Sequence, residues 1–148
     1  MIYILLAASI FLFEWKVKNY IDGVYDFSKE LLILKDKIRL RKYHNHGAFL
    51  NLMEKKKKLL HLISVFFTVL VFIFLVCTLF FKGNRLLKLG LSLLLGGAFS
   101  NTYDRLSRDY VVDYFSFCTP FKKLNQIMFN ISDFCIIIGA LLVVLKTS

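Results

Sequence analysis

Leu59 to Phe81 reads LLHLISVFFTVLVFIFLVCTLFF, 23 residues without an Asp, Glu, Lys or Arg. A helix of that length is long enough to cross a hydrocarbon core of about 30 Å. The whole chain agrees in character. It is 57% hydrophobic over 148 residues, against roughly 45–50% for a soluble domain, and its mean hydropathy is +0.62. These values place the chain in a membrane.

Three further stretches outside that run are less clean. Met1 to Phe13 is apolar before Glu14, Lys16 and Lys18 intervene, so a first helix over about 1–21 has polar last turns. No basic segment precedes it and no small-x-small site follows before Glu14, which argues for a retained helix rather than a cleaved signal peptide. Leu86 to Tyr103 is interrupted by Lys88, and Ile127 to Leu145 carries Asn130 and Asp133 near its start. Both have the length of about 20 residues that a span needs. The expectation is one polytopic domain over 1–148, an all-α membrane bundle of four helices near 1–21, 59–81, 86–103 and 127–145. The only proline, Pro120, falls outside all of them.

The extramembrane segments are then 22–58 and 104–126. The first holds ten of the twenty Lys and Arg residues. Within it Lys37, Arg39 and Arg41 alternate with Ile38 and Leu40, close to the period of two of a half-buried strand. A small sheet against the bilayer is expected there, with a turn at Asp36 and a break at Gly47. Lys82-Gly83-Asn84-Arg85 is a tight turn that makes helices two and three antiparallel neighbours. The aromatic residues of 104–126 suit a membrane interface.

A net charge of +10 invites a nucleic-acid reading, but no nucleic-acid motif accompanies the scattered basic residues. Membrane lipids with anionic headgroups are the better partner. Cys77, Cys118 and Cys135 form an odd set without CxxC spacing, so neither a metal nor a disulfide scaffold is inferred. His44 and His46 would share a strand face, yet no Cys, Asp or Glu stands beside them. No metal site or cofactor is expected. Counting Lys and Arg, fourteen lie in the two large segments and four on the other side. The positive-inside rule alone would turn the large segments to the cytoplasm.

Even connectivity puts Glu14, Lys18, Asn45, Asn101, Asp104, Arg105, Asp113, Asn130 and Asp133 on one side of the membrane. Asp133, about six residues into the fourth helix, would lie roughly 9 Å below the surface, and an ionisable group at such depth points to function. Two carboxylates brought together there cannot both ionise cheaply. They would share a proton, one serving as base and the other as acid. On spacing alone, carriers and proton relays use intramembrane carboxylates too.

The residues themselves resemble a family. Gly96-Gly97-Ala98-Phe99-Ser100-Asn101-Thr102-Tyr103-Asp104-Arg105, Val111-Val112-Asp113-Tyr114-Phe115 and Phe129-Asn130-Ile131-Ser132-Asp133 are similar, in order and spacing, to the GGAxxNxxDR, VVDF and FNxAD motifs of bacterial lipoprotein signal peptidases (signal peptidase II). Asn45-His46-Gly47-Ala48-Phe49 resembles the family's NxGAAF, and Glu14-Trp15-Lys16-Val17-Lys18 its DQxxK.

The resemblance implies four transmembrane helices with a small extracytoplasmic sheet and removal of signal peptides from diacylglyceryl-modified prolipoproteins. The site would face outward from a bacterial cell membrane, against the charge count. It further implies Asp113 and Asp133 as the catalytic dyad, Asn45, Asn101, Arg105 and Asn130 as residues lining the site that bind substrate or globomycin, and Glu14, Lys18 and Asp104 as structural support.

The chain departs from the pattern at Glu14 for Asp, Tyr114 for Phe, Ser132 for Ala, and in lacking the second Ala of GAAF. Plainer roles are packing for Gly96-Gly97, interhelical hydrogen bonds for Asn101 and Asn130, and a mutual ion pair for Asp104 and Arg105. A homologue that binds lipoproteins without cutting them, and a proton-coupled membrane carrier, are the rival functions. The gathering of polarity at one rim speaks against a carrier.

Overall fold

The computed structural model describes residues 1–47 and 56–147; Ala48 and Phe49 of the GAF segment lie outside them. Helix α1 (Ile2–Val24) leads into a hairpin of β1 (Leu31–Ile33) and β2 (Ile38–Asn45). Helices α2 (Lys57–Leu79) and α3 (Arg85–Arg108) follow, then β3 (Val111–Phe117), a 3-10 turn over Leu124–Gln126, and α4 (Ile131–Thr147). The architecture is thus four helices and one small antiparallel sheet in the order β1-β2-β3.

The helix periods explain which element sits where. α2 buries only Leu60, Thr68 and Leu75 and presents Phe66, Phe67, Leu70, Phe72, Ile73 and Phe74 outward. Among the described residues it is the one helix that suits a membrane crossing on length and apolarity alone. α3 is its opposite. It packs against α1, α2 and α4 and buries polar side chains along with apolar ones: Lys88, Ser92, Ser100, Asn101, Thr102 and Asp104 beside Leu87, Leu91 and Leu95. With Ala7 and Leu75 those leucines make the apolar core.

Close approach of α3 to its neighbours needs missing side chains. A Cβ on Gly96 would stand 2.8 Å from Ile10 Cβ of α1. One on Gly97 would strike the carbonyl oxygen of Ser132 at the start of α4. The glycine pair therefore serves packing, as its plainer reading had it, and the second one fixes how near the first turn of α4 comes to α3.

The hairpin turn falls at Leu34-Lys35-Asp36-Lys37, with left-handed φ angles of 53°, 57° and 60° at Leu34, Lys35 and Asp36. The turn expected at Asp36 is there. Two features differ from the sequence expectation. The sheet takes a third strand from the segment between α3 and α4, where the sequence suggests only an aromatic interfacial loop. β3 pairs with β2 in the register Leu40↔Phe115, Tyr43↔Asp113 and Asn45↔Val111, with a shift between Leu40 and Tyr43.

The fourth helix also begins at Ile131 rather than 127. Phe129 is spent on β3, where its amide donates to Phe115 O at 2.7 Å and its carbonyl accepts from Tyr114 and Phe115 amides at 2.9 and 3.1 Å. Asp133 is accordingly in the first turn of α4, not six residues down it.

Candidate active site

Three motifs converge where α4 begins. Asn130 and Asp133 are N-cap and third helical residue, and they cap each other: the Asp133 amide donates to Asn130 Oδ1 at 3.0 Å, and the Asn130 amide donates to Asp133 Oδ2 at 3.0 Å. This is the geometry of a capping box, with Asn and Asp in place of the usual Ser or Thr and Glu. It locks the carboxylate against its own helix end. The second oxygen of Asp133 accepts from Asn101 Nδ2 of α3 at 2.8 Å.

Asp113 enters from β3, with 2% of its surface exposed. Its Oδ1 accepts from Asn130 Nδ2 at 2.6 Å and its Oδ2 from Asn45 Nδ2 of β2 at 2.9 Å. Asn130 therefore contacts both acids, through its side chain and its backbone. All four donors are neutral amides, which fix position without cancelling charge. Burial first, and then the charge of Asp133, push the Asp113 carboxyl up to about 7 against the pull of Asn45, Asn130 and Lys18.

One cation beside this arrangement, Lys18, is fully buried. Lys18 Nζ donates to Asn101 Oδ1 at 2.8 Å and to Ser100 Oγ at 2.9 Å, and it pairs with Asp104 at 3.2 Å and Glu14 at 3.8 Å. By occupying Asn101 Oδ1 it turns the amide nitrogen of Asn101 toward Asp133. Asp104 Oδ2 also accepts the Val112 amide at 3.2 Å, one residue before Asp113, and its Oδ1 lies 3.3 Å from Arg108. Asp104 thus pairs with Lys18 and Arg108, and the ion pair with Arg105 weighed from sequence is not what holds it.

A cavity of about 600 Å³ opens beside the two acids. Its lining combines polar residues, Asn45, Asn101, Arg105, Asp113 and Asp133, with apolar ones that include Phe67, Val71, Leu94, Ile136 and Ile137. The Arg105 guanidinium is tethered to its own turn by a 3.3 Å bond to Asn101 O, and its buried Nε has no hydrogen-bond partner among the described residues.

Asn130 is fully buried and meets both acids directly, Asp113 through its side chain and Asp133 through its backbone amide. His44 lies apart, 2.6 Å from Asp22 and stacked on Tyr110, and among the described residues no three His, Cys, Asp or Glu side chains form a metal-holding group. Sequence reasoning noticed Tyr114 and Ser132 only as departures. Both prove to be partners of Glu14.

The family model described as signal peptidase (SPase) II matches residues 6–148. The chain belongs to the signal peptidase II family. At that level it is a peptidase of lipoprotein signal-peptide processing, and the match takes in all the motifs that carry the resemblance. Two solved structures share the signal peptidase II fold seen here. One is a bacterial membrane enzyme determined by the in meso method at 2.3 Å resolution, 23% identical, with a TM-score of 0.82 over 98% of this chain and 86% of that one. The other is a bacterial membrane enzyme determined in the same way at 1.9 Å, 22% identical, with a TM-score of 0.81 over 98% and 91%.

Proposed function

We propose that the chain is an intramembrane aspartyl endopeptidase that removes the signal peptide from diacylglyceryl-modified prolipoproteins, with Asp113 and Asp133 as its catalytic pair. The observation that carries this reading is the shared grip of Asn130 on both carboxylates, which line a cavity together with many apolar side chains. One acid, ionised, takes a proton from water as the water attacks the scissile carbonyl. The other, protonated, gives its proton to the leaving amine. The pair titrates as a unit, so neither role is assigned to a particular Asp. Arg105, with an unpartnered buried N–H on the cavity wall, is placed to bind a substrate carbonyl, as are the amides of Asn45 and Asn101. The apolar side chains that α2, α3 and α4 contribute to the lining suit the acyl chains of the lipidated Cys, and a globomycin-type peptide would compete for the same space. No step calls for a metal or other cofactor.

The same reading makes 1–148 a single multi-pass domain with four helices crossing a bacterial cell membrane and the sheet and acid pair on the extracytoplasmic side. Its physical support is the outer surface of the bundle. α1 exposes Ile4, Leu5, Leu12 and Phe13, and α4 exposes Ile137, Ile138, Leu141 and Val144, an apolar girdle far larger than a soluble protein tolerates.

The test is incubation of purified protein with a diacylglyceryl prolipoprotein and with its unlipidated form. Cleavage just before the lipidated Cys, retained with chelator and lost at least about 100-fold in Asp113→Asn and Asp133→Asn proteins still housed in the membrane, is expected. Binding without cleavage by the wild type would instead establish a non-catalytic homologue, and near-normal turnover by either variant would remove the dyad assignment.

A further inference from the structure

Glu14 is fully buried where α1 passes the first turn of α4. Its Oε1 accepts from the Tyr114 hydroxyl at 2.7 Å. Its Oε2 accepts from the Ser132 amide at 3.1 Å and the Ser132 hydroxyl at 2.8 Å. The Tyr114 oxygen in turn accepts from the Ile131 amide at 3.1 Å. The first two amides of α4, which no helix can satisfy internally, are therefore capped by this cluster, and the third by Asn130.

The cluster bears on the acids through their neighbours. Tyr114 follows Asp113 on β3, and the alternation of a strand sends the two side chains to opposite faces. Ser132 precedes Asp133 on α4. None of Glu14, Tyr114 and Ser132 lines the cavity, so one carboxylate ties the residue next to each acid together from the far side.

Glu14, Tyr114 and Ser132 are also positions at which the chain departs from the motifs it resembles, with Glu for Asp, Tyr for Phe and Ser for Ala. The structure shows that all three departures meet in one hydrogen-bonded group. The extra methylene of Glu14 carries its carboxylate to two hydroxyls that Phe and Ala would not supply.

We propose that Glu14, Tyr114 and Ser132 form a single positioning unit that sets the separation of Asp113 and Asp133, and that their three departures from the family pattern depend on one another. This rests on the reading of Asp113 and Asp133 as the catalytic pair. Removing one partner of a buried hydrogen bond leaves the other unsatisfied, whereas removing both together is nearly neutral. Glu14→Asp alone withdraws the carboxylate by about 1.5 Å and strands two buried hydroxyls. The same change made with Tyr114→Phe and Ser132→Ala strands neither hydroxyl and leaves the Ile131 and Ser132 amides as the donors whose caps are lost.

The experiment compares wild type, E14D, Y114F/S132A and E14D/Y114F/S132A, purified in lipid, for kcat and KM on the diacylglyceryl prolipoprotein across pH. E14D in the wild-type background is expected to lower kcat at least about tenfold, the scale of a small misplacement of reacting groups, with KM little changed. In the Y114F/S132A background the same substitution is expected to raise kcat rather than lower it, so that the triple variant exceeds both E14D and the product of the separate losses. An E14D that fails to fold while the triple variant folds and cleaves supports the unit equally. Additive losses, a triple variant no better than E14D, or an effect on KM alone would overturn it.

A second readout needs no substrate. The infrared carboxyl band removed by Asp113→Asn reports titration of the pair, and its midpoint should move in E14D and return in the triple variant. That pattern in a protein that cleaves nothing would keep the positioning unit and discard the peptidase reading. Cleavage with additive behaviour in both readouts would do the reverse.

Discussion

Asp113→Asn should stabilise the protein at pH 8 while abolishing the proposed cleavage. The folded protein holds the Asp113 proton up to about 7, against an ordinary value of 3.8. Between those values the unfolded carboxyl has lost its proton and the folded one has not, so the folded state binds more protons and stability falls as pH rises. At about 1.4 kcal/mol per pH unit, carrying the second negative charge on the buried pair costs the fold on the order of 4 kcal/mol by pH 8.

The substituted amide escapes that cost because it does not titrate. It meets a different one, since Asn45 Nδ2 and Asn130 Nδ2 both donate to the carboxylate and an amide offers only one oxygen. The stranded donor costs about 2 kcal/mol. The net expectation is a variant about 2 kcal/mol more stable than wild type at pH 8, or about 4–8 °C in Tm for a chain near this size. Near pH 4, close to the unfolded value of 3.8, little of that cost remains, and the variant should be the less stable of the two. Melting both proteins in the same micelles from pH 4 to 8 reads the crossing. A variant at or below wild type at pH 8, or a difference that does not change with pH, would refute the account of Asp113 as a carboxyl held at an energetic loss.

Two other predictions follow from the surroundings of the pair. Lys18→Met leaves Glu14 buried without its cation and Asp104 with Arg108 alone, so a loss of about 3 kcal/mol is expected as a lowered Tm at pH 7; an unchanged Tm would mean that Lys18 supplies no needed counter-charge. For orientation, in a Cys77→Ala/Cys135→Ala background a membrane-impermeant thiol reagent on intact cells should label Cys118, just past β3, while Asn84→Cys at the α2–α3 turn stays unlabelled until the membrane is opened. The reverse pattern would put the acid pair in the cytoplasm and end the lipoprotein-processing proposal.

Local signals in the sequence were legible and non-local ones were not. α2, the 82–85 turn and the β2 alternation each follow from residues within one element. β3 does not. Its register pairs Tyr43 with Asp113 across the whole α2–α3 hairpin, and Val111-Val112-Asp113-Tyr114-Phe115 reads equally well as an aromatic stretch at an interface. Ile127-Met128-Phe129 looked helical because it is apolar, yet Phe129 gives its amide and carbonyl to β3.

The site residues themselves could be named in advance, because polar side chains in an apolar chain are conspicuous. What each one touches could not. Asn130 bonds to both acids at once, and Asp104 is bound by Lys18 and Arg108 rather than Arg105. The charge count has a related weakness. It takes each basic residue alone, whereas Arg39 and Arg41 both reach Glu30, and Lys42 and Arg108 both reach Asp22.

The contrast between α2 and α3 shows why hydropathy ranks these helices as it does. Hydropathy measures contact with lipid, and only indirectly the crossing of it. α2 stands at the edge of the bundle with most of its surface outward, so nearly every position must be apolar. α3 is covered by three helices, so it can carry Lys88, Ser92, Ser100, Asn101, Thr102 and Asp104 inside the protein and still cross, under the proposed topology. Those groups are satisfied where they lie: Lys88 donates to Phe81 O at 2.6 Å, and Thr68 and Thr102 hydroxyls meet at 2.9 Å. The polarity that disqualifies α3 as a lone span is what allows it to hold Asn101 against Asp133 and Asp104 against Lys18. A bundle in which every helix passed a hydropathy test would have no interior helix able to position a buried acid pair beside an apolar cavity.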